Sequence, residues 1–181
     1  MFMDLRSSTT IAEKLGEQRY FNFLKDIFNH STTSILETKG EIYQYVGDEI
    51  VISWKMHEGV DKANCLNCFF KIQQTLKLRA SYYKESYDGI IPEFKAGLHC
   101  GPVVAGEIGV IKRDIVFSGD VLNTASRIQE YCNKLNKQLL VSESLANELE
   151  NQKDHDIQLV GEVELRGKED KSQIYSIEKL L

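Results

Sequence analysis

Three distant stretches carry polar groups whose types and spacing suit chemistry at phosphorus. They are Phe2-Met3-Asp4-Leu5-Arg6-Ser7-Ser8-Thr9, Val46-Gly47-Asp48-Glu49, and Ser118-Gly119-Asp120-Val121-Leu122-Asn123-Thr124-Ala125-Ser126-Arg127. Asp4 and Asp48 each stand at a strand edge beside small or turn-forming residues, where a sheet can bring them together. Mg²⁺ accepts one or two carboxylates and leaves its remaining positions to phosphate and water. A pair of such ions activates an attacking oxygen and stabilises a leaving one. Arg6-Ser7-Ser8-Thr9 is small and hydroxylated and leads into a helix, whose free N–H groups suit polyphosphate. Asn123 and Arg127 are four apart, so on a helix they share a face. Singly, each piece has a bland explanation: a helix-leading Asp, a turn Asp, a surface cation. Arg166 in Leu165-Arg166-Gly167-Lys168 either binds phosphate or decorates a hairpin. It is the ordered combination that points to phosphoryl or nucleotidyl transfer.

The elements that must position these groups read as follows. Met1 to Leu5 ends a strand. From Thr9 a helix runs with Tyr20, Leu24, Ile27, Phe28 and Ile35 at helical spacing, and Gly40 stops it. Glu41–Val46 and Glu49–Trp54 flank a Gly-Asp turn and predict a hairpin. A second long helix spans about His57 to Tyr83. Phe94–His99 and Pro102–Glu107 predict a strand pair joined near Gly101, and Asp114–Phe117 a short strand. Asp120 is placed to cap the helix through Asn123, Arg127, Ile128 and Tyr131. Gln138–Val141 reads as a strand, Ser142–Leu149 as a helix, and Ile157–Val163 and Gln173–Ile177 as closing strands. Such a pattern implies an α+β fold with a mostly antiparallel sheet and helices on one face.

Composition bounds the rest. With 181 residues and 42% hydrophobic content, the chain suits one domain over 1–181. The abrupt start before Asp4 suggests a domain cut from something larger. A net charge of −5 without a Lys/Arg stripe argues against nucleic acid as a partner. No apolar run reaches membrane-spanning length, and no signal peptide is visible. Cys65-Leu66-Asn67-Cys68 lies in an apolar helical run without a second Cys/His pair at zinc spacing. The four cysteines therefore read as buried reduced thiols of a cytoplasmic protein, or of the cytosolic part of a larger, membrane-attached one.

The motifs resemble the catalytic domain of the class III nucleotide cyclases, the adenylate and guanylate cyclases, from Phe2 almost to the C-terminus. Phe2-x-Asp4-Leu5 looks like the first metal motif of that family and Gly47-Asp48 like the second. Gly119-Asp120-x-x-Asn123-x-Ala125-Ser126-Arg127 looks like its signature helix. The resemblance implies a ferredoxin-like core and two Mg²⁺ or Mn²⁺ per site, held by Asp4, Asp48 and the Leu5 carbonyl. It implies phosphate binding by Ser7, Ser8, Thr9 and Arg166, the last standing where the family has Lys. Asn123 would orient the ribose and Arg127 stabilise the pentavalent transition state. Each site would lie between two subunits, so a homodimer with two shared active sites is implied, acting on a nucleoside triphosphate.

Gln44 and Val116 occupy the base-reading positions, and both depart from the family's usual residues. Gln44 donates and accepts hydrogen bonds, whereas Val116 offers only packing, and the lean is toward ATP. Ile111 stands where some members carry a pyrophosphate-binding Arg, leaving Lys112 or Arg113 as substitutes. Two rivals remain. A silent cyclase-like module would bind nucleotide or dimerise without turnover. A diguanylate-cyclase-type enzyme shares the Gly47-Asp48-Glu49 turn, but Val46 and the Asn123/Arg127 helix do not fit it.

Overall fold

A computed structural model describes residues 1–111, 113–150, 152–164 and 171–180. Arg166 and Lys112 lie outside the described residues. The elements run β1 (Phe2–Leu5), α1 (Ser8–Leu15), α2 (Glu17–Glu37), β2 (Glu41–Val46), β3 (Glu49–Ser53), α3 (Met56–Val60), α4 (Asn64–Leu78), α5 (Ala80–Ser86), β4 (Phe94–Leu98). They continue β5 (Val104–Ile108), β6 (Asp114–Ser118), α6 (Asp120–Lys134), β7 (Leu139–Ser142), α7 (Glu143–Glu148), β8 (His155–Glu164), β9 (Lys171–Lys179).

The main sheet has the order β2-β3-β1-β4-β7-β9-β8. Every pairing in it is antiparallel except β4 with β7. Alternation along the strands divides the core in two. Met3, Leu5, Ile50, Ile52, Phe94, Ala96, Leu139 and Val141 bury one face together with α2 and α4 residues Phe23, Ile27, Ile35, Phe69 and Ile72. Leu140 points the other way and packs with Ile128 and Cys132 of α6. So α1, α2 and α4 cover one face, while α6 packs on the other, a departure from helices confined to a single face.

Three local expectations change. The first long helix is two, broken at Gly16, whose φ of 73° only glycine adopts freely. The second is interrupted by Lys62 and Ala63 at positive φ and again at Arg79. The third change is in pairing: β4 does not pair with the strand after Gly101. Each of its residues is buried, and both its edges are taken by β1 and β7. The next strand, exposed throughout, therefore leaves the sheet and pairs with β6 as a separate two-stranded ribbon.

A helix backbone lies directly against Gly97 of β4. A Cβ there would sit 2.2 Å from the Gln129 backbone nitrogen and 2.5 Å from the Ala125 carbonyl oxygen. Gly97 is what lets α6 lie directly on the sheet. Gly97→Ala is expected to cost about 3 kcal/mol or more, because a helix backbone must move rather than a side chain; urea denaturation checks this.

His155 supplies a pH-dependent term. Its ring is buried, stacks on Phe70 at 5.6 Å, and neither ring nitrogen has a hydrogen-bond partner. Burial pushes its pKa below the ordinary 6.5. The unfolded chain therefore binds the proton more readily. The stability of the neutral form is complete above 6.5 and is lost as pH falls from there through the depressed folded value. His155→Phe removes this dependence. Melting curves should show the wild type losing stability relative to the variant as pH falls from about 7 to about 5.

Burial covers Cys65, Cys68 and Cys132 but not Cys100, which is half-exposed against expectation; all four are free. Burial pushes the Cys65 thiol up to about 12 and that of Cys68 up to about 11, away from redox reactivity.

Candidate active site

β1 carries Asp4 in the middle of the sheet, and register sets what stands beside it. Glu49 of β3 lies directly opposite on one side and Lys95 of β4 on the other. Directly opposed residues of antiparallel strands share a face, so Glu49, Asp4 and Lys95 form one row. The face is the one α6 covers. Lys95 Nζ lies 2.9 Å from Asp4 Oδ2, and Gln129 of α6 donates from Nε2 to the same oxygen at 3.0 Å. Lys95 and Gln129 are both buried. One carboxylate oxygen is thus held by two donors.

The second acid arrives through the expected hairpin. Gly47, with φ of 60°, turns the chain, Val46 pairs with Glu49, and Asp48 sits at the tip of the turn. It comes close enough to Asp4 to act on its titration. Burial raises the Asp4 pKa first, Lys95 opposes this, and the Asp48 charge raises it further. Glu49 is pushed up to about 7, chiefly by burial and then by the charges of Asp4 and Asp48. Three carboxylates crowd here with Lys95 as the cation bonded to Asp4, an arrangement that divalent cations would relieve.

Asp4 and Asp48 offer the kind of donor Mg²⁺ or Mn²⁺ takes, one or two carboxylates with the rest of the shell from substrate and water. Among the described residues, no group of three or more His, Cys, Asp and Glu side chains is arranged to hold a metal ion without such a substrate. Removing Lys95 makes this testable. Lys95→Met should destabilise the metal-free protein by about 3 kcal/mol, since half-buried Asp4 loses its ion pair and keeps the neutral Gln129 amide. Added Mn²⁺ should then raise the melting temperature of the variant more than that of the wild type.

Directly after β1 the chain turns at Ser7, which has φ of 57° and stands at the N-cap of α1 with no side-chain capping bond. The first N–H groups of α1, at Ser8 and Thr9, have no acceptor one turn back. The Tyr20 hydroxyl of α2 lies near Ser8 and Asp48; its pKa is pushed up to about 12 by burial first and then by the Asp48 charge. The predicted loop therefore adjoins the two acids. Leu5 buries its side chain in the core, while its backbone stays at the end of β1.

The helix α6 starts differently from expectation. Gly119 is its N-cap, with φ of 152°, and Asp120 is the first helical residue. Asp120 accepts from the Thr124 hydroxyl at 3.2 Å, and its charge favours the helix N-terminus rather than capping it. The α6 residue that donates to Asp4, Gln129, stands close to Arg127 in sequence. Gln129 lies two residues on, about 200° round the helix. Asn123 is exposed and Arg127 half-buried on another side of α6.

Gln44 and Val116, distant in sequence, line one cleft together with Tyr43, Arg113 and Phe117. Ile111 is fully exposed on the connection between β5 and β6, and Arg113 lies 3.6 Å from Glu107. Sequence reading missed Glu49, Lys95 and Gln129 as neighbours of Asp4. A lysine inside the apolar run Phe94-Lys95-Ala96-Gly97-Leu98 was the available signal, because a buried ammonium requires a partner.

A family model described as adenylate and guanylate cyclase catalytic domain matches residues 1–179. The chain belongs to that family. Adenylate cyclase 2 of Rhizobium meliloti (strain 1021) is 35% identical over 177 residues, covering 98% of this chain and 48% of the relative. This chain thus spans about half the length of that protein. Among solved structures, the adenylyl cyclase CyaB from P. aeruginosa superposes with a TM-score of 0.83 at 19% identity, covering 99% of this chain and 92% of that one. The guanylate cyclase domain of RhGC from Catenaria anguillulae, in complex with GTP, gives 0.80 at 20% identity, covering 98% and 93%. Both share the α+β fold described above. No helix among the described residues is long and apolar enough to cross a membrane.

Proposed function

We propose that this domain converts a purine nucleoside triphosphate, ATP in preference to GTP, to a 3′,5′-cyclic nucleotide and pyrophosphate at two sites shared by a homodimer. The observation that carries the reading is that Asp4 pairs with Glu49, which brings neighbouring Asp48 near enough to bear on the Asp4 carboxyl, just before the N-terminus of α1. Membership of the cyclase family supports it.

In the reaction the ribose 3′-oxygen bonds to the α-phosphorus as the bond to the bridging oxygen breaks. Pyrophosphate leaves in line, and the hydroxyl proton passes to solvent. Two divalent ions held by Asp4, Asp48 and the Leu5 carbonyl would neutralise the triphosphate and make the 3′-oxygen more acidic. The chain's own groups do the rest. Ser7, Ser8 and Thr9 hold the leaving phosphates at the N-terminus of α1. Lys95 and Gln129 fix the Asp4 carboxylate through one oxygen.

Asn123 positions the ribose, and Arg127 spreads positive charge over the pentavalent phosphorus from the partner subunit. The bonding of Gln129 to Asp4 within one chain supports donation in trans, since it turns the Asn123/Arg127 side of α6 elsewhere. Arg166 is proposed as a further phosphate ligand. At the base end, Gln44 reads the purine edge while Val116 only packs against it, so discrimination is modest.

Turnover of ATP and GTP by the purified domain with Mg²⁺ and with Mn²⁺, with product identification, tests the reading. Cyclic mononucleotide is expected, faster from ATP. Cyclic dinucleotide would point to the diguanylate-cyclase reaction. Binding without any product at saturating Mn²⁺ would leave a silent module.

A further inference from the structure

β2 and β6 belong to different sheets, yet Gln44 on one and Val116 on the other line a common cleft. Something must hold the ribbon against the main sheet. The register of β2 with β3 supplies it: Ile42 opposes Ile52 and Gln44 opposes Val51, so Tyr43 is an extra, bulged residue. A bulge re-aims its side chain out of the strand's alternation. The Tyr43 ring lies on Phe117 of β6, with centroids 4.4 Å apart and planes 10° from parallel. The Phe117 N–H donates to the Tyr43 hydroxyl at 3.0 Å.

Two hollows meet at this stacked pair. On one side is the cleft with Gln44 and Val116. On the other is a cavity of about 440 Å³ whose lining includes Phe2, Trp54, Leu98 and Val121. Tyr43 and Phe117 line both, as do Glu41 and Ser53, and the two stacked rings stand at the boundary between them.

We propose that Tyr43, seated on Phe117, is the positioning residue that sets the depth of the base pocket. Resting on the nucleotide-cyclase reading above, it holds Gln44 and Val116 at one separation and shuts the pocket off from the apolar cavity behind. A purine amino group fits in front of the two rings. An aromatic substituent on that nitrogen does not, although the cavity beyond has the apolar lining and volume to take it.

The test compares wild type, Tyr43→Ala, Tyr43→Phe and Phe117→Leu with ATP, GTP and N6-benzyl-ATP, and with pyrophosphate as inhibitor. Tyr43→Ala is expected to raise KM for ATP about tenfold with kcat within about threefold, and to gain turnover of N6-benzyl-ATP. Pyrophosphate inhibition should not change, because the phosphate end lies at Ser7–Thr9. Tyr43→Phe keeps the ring and should keep wild-type selectivity. Phe117→Leu removes the seat, should admit the bulky analogue, and carries the test if Tyr43→Ala does not fold.

Rejection of N6-benzyl-ATP by folded Tyr43→Ala and Phe117→Leu, with KM unaltered, would overturn the role of Tyr43 alone. Equal loss of kcat and of pyrophosphate inhibition would also overturn it, as collapse of the site. Absence of wild-type turnover of either purine triphosphate would instead sink the cyclase reading and this inference with it.

Discussion

Asp48→Ala should lower cyclic-nucleotide formation by about three orders of magnitude or more, and the metal-free protein should melt at a higher temperature than wild type. The two effects have one cause. Asp48 sits half-buried at the hairpin tip, and its charge bears on Asp4 and Glu49, both already pushed up by burial. Without metal, that repulsion opposes folding. Truncation removes one of three crowded carboxylates and relieves it, while leaving Asp4 alone to hold ions that need both. A structural role for Asp48 predicts the opposite sign in the melt. Activity assays with Mn²⁺ and melting curves in chelator at pH 8 decide between them. Unchanged turnover in the variant would remove Asp48 from the site.

Arg127→Ala should reduce kcat by a factor of about 100 to 1000 with KM for the triphosphate nearly unchanged. The guanidinium is assigned to charge that develops only as phosphorus becomes five-coordinate, so the ground state loses little. Lysine should rescue poorly, because an ammonium cannot present two parallel donors to a phosphoryl group. Steady-state kinetics and titration with a fluorescent nucleotide separate the two terms. A rise in KM matching the fall in kcat/KM would mean that Arg127 binds substrate rather than the transition state.

What the sequence made legible followed from local chemistry. The Gly47-Asp48 turn between two β-rich runs formed the hairpin as read, because turn residues and alternation are short-range signals. Asp4, Ser7 and the Asn123/Arg127 spacing were visible for the same reason. The Gly16 break was passed over because apolar periodicity continues across it, with Ile11 and Leu15 before and Phe23 and Ile27 after. Pairing of β4 with its sequence neighbour failed for a non-local reason: β1 and β7 already occupy its edges. Lys95 in its apolar run signalled a buried cation in need of a partner, but that the partner is Asp4, shared with Gln129, depends on register and on the helix approach that Gly97 permits. Tyr43 escaped notice because only a bulge turns it onto Phe117.

The central claim is that the acids and the guanidinium of one active site come from different chains, and mixing two inactive variants tests it most directly. Asp48→Ala and Arg127→Ala proteins, each nearly inactive alone, are combined in equal amounts and allowed to exchange subunits. Half of the dimers then carry one variant of each kind, and in those one site has both lesions while the other has none. Recovery of about a quarter of wild-type activity is the predicted result. A mixture no more active than its components, with heterodimers shown to form, would contradict the account.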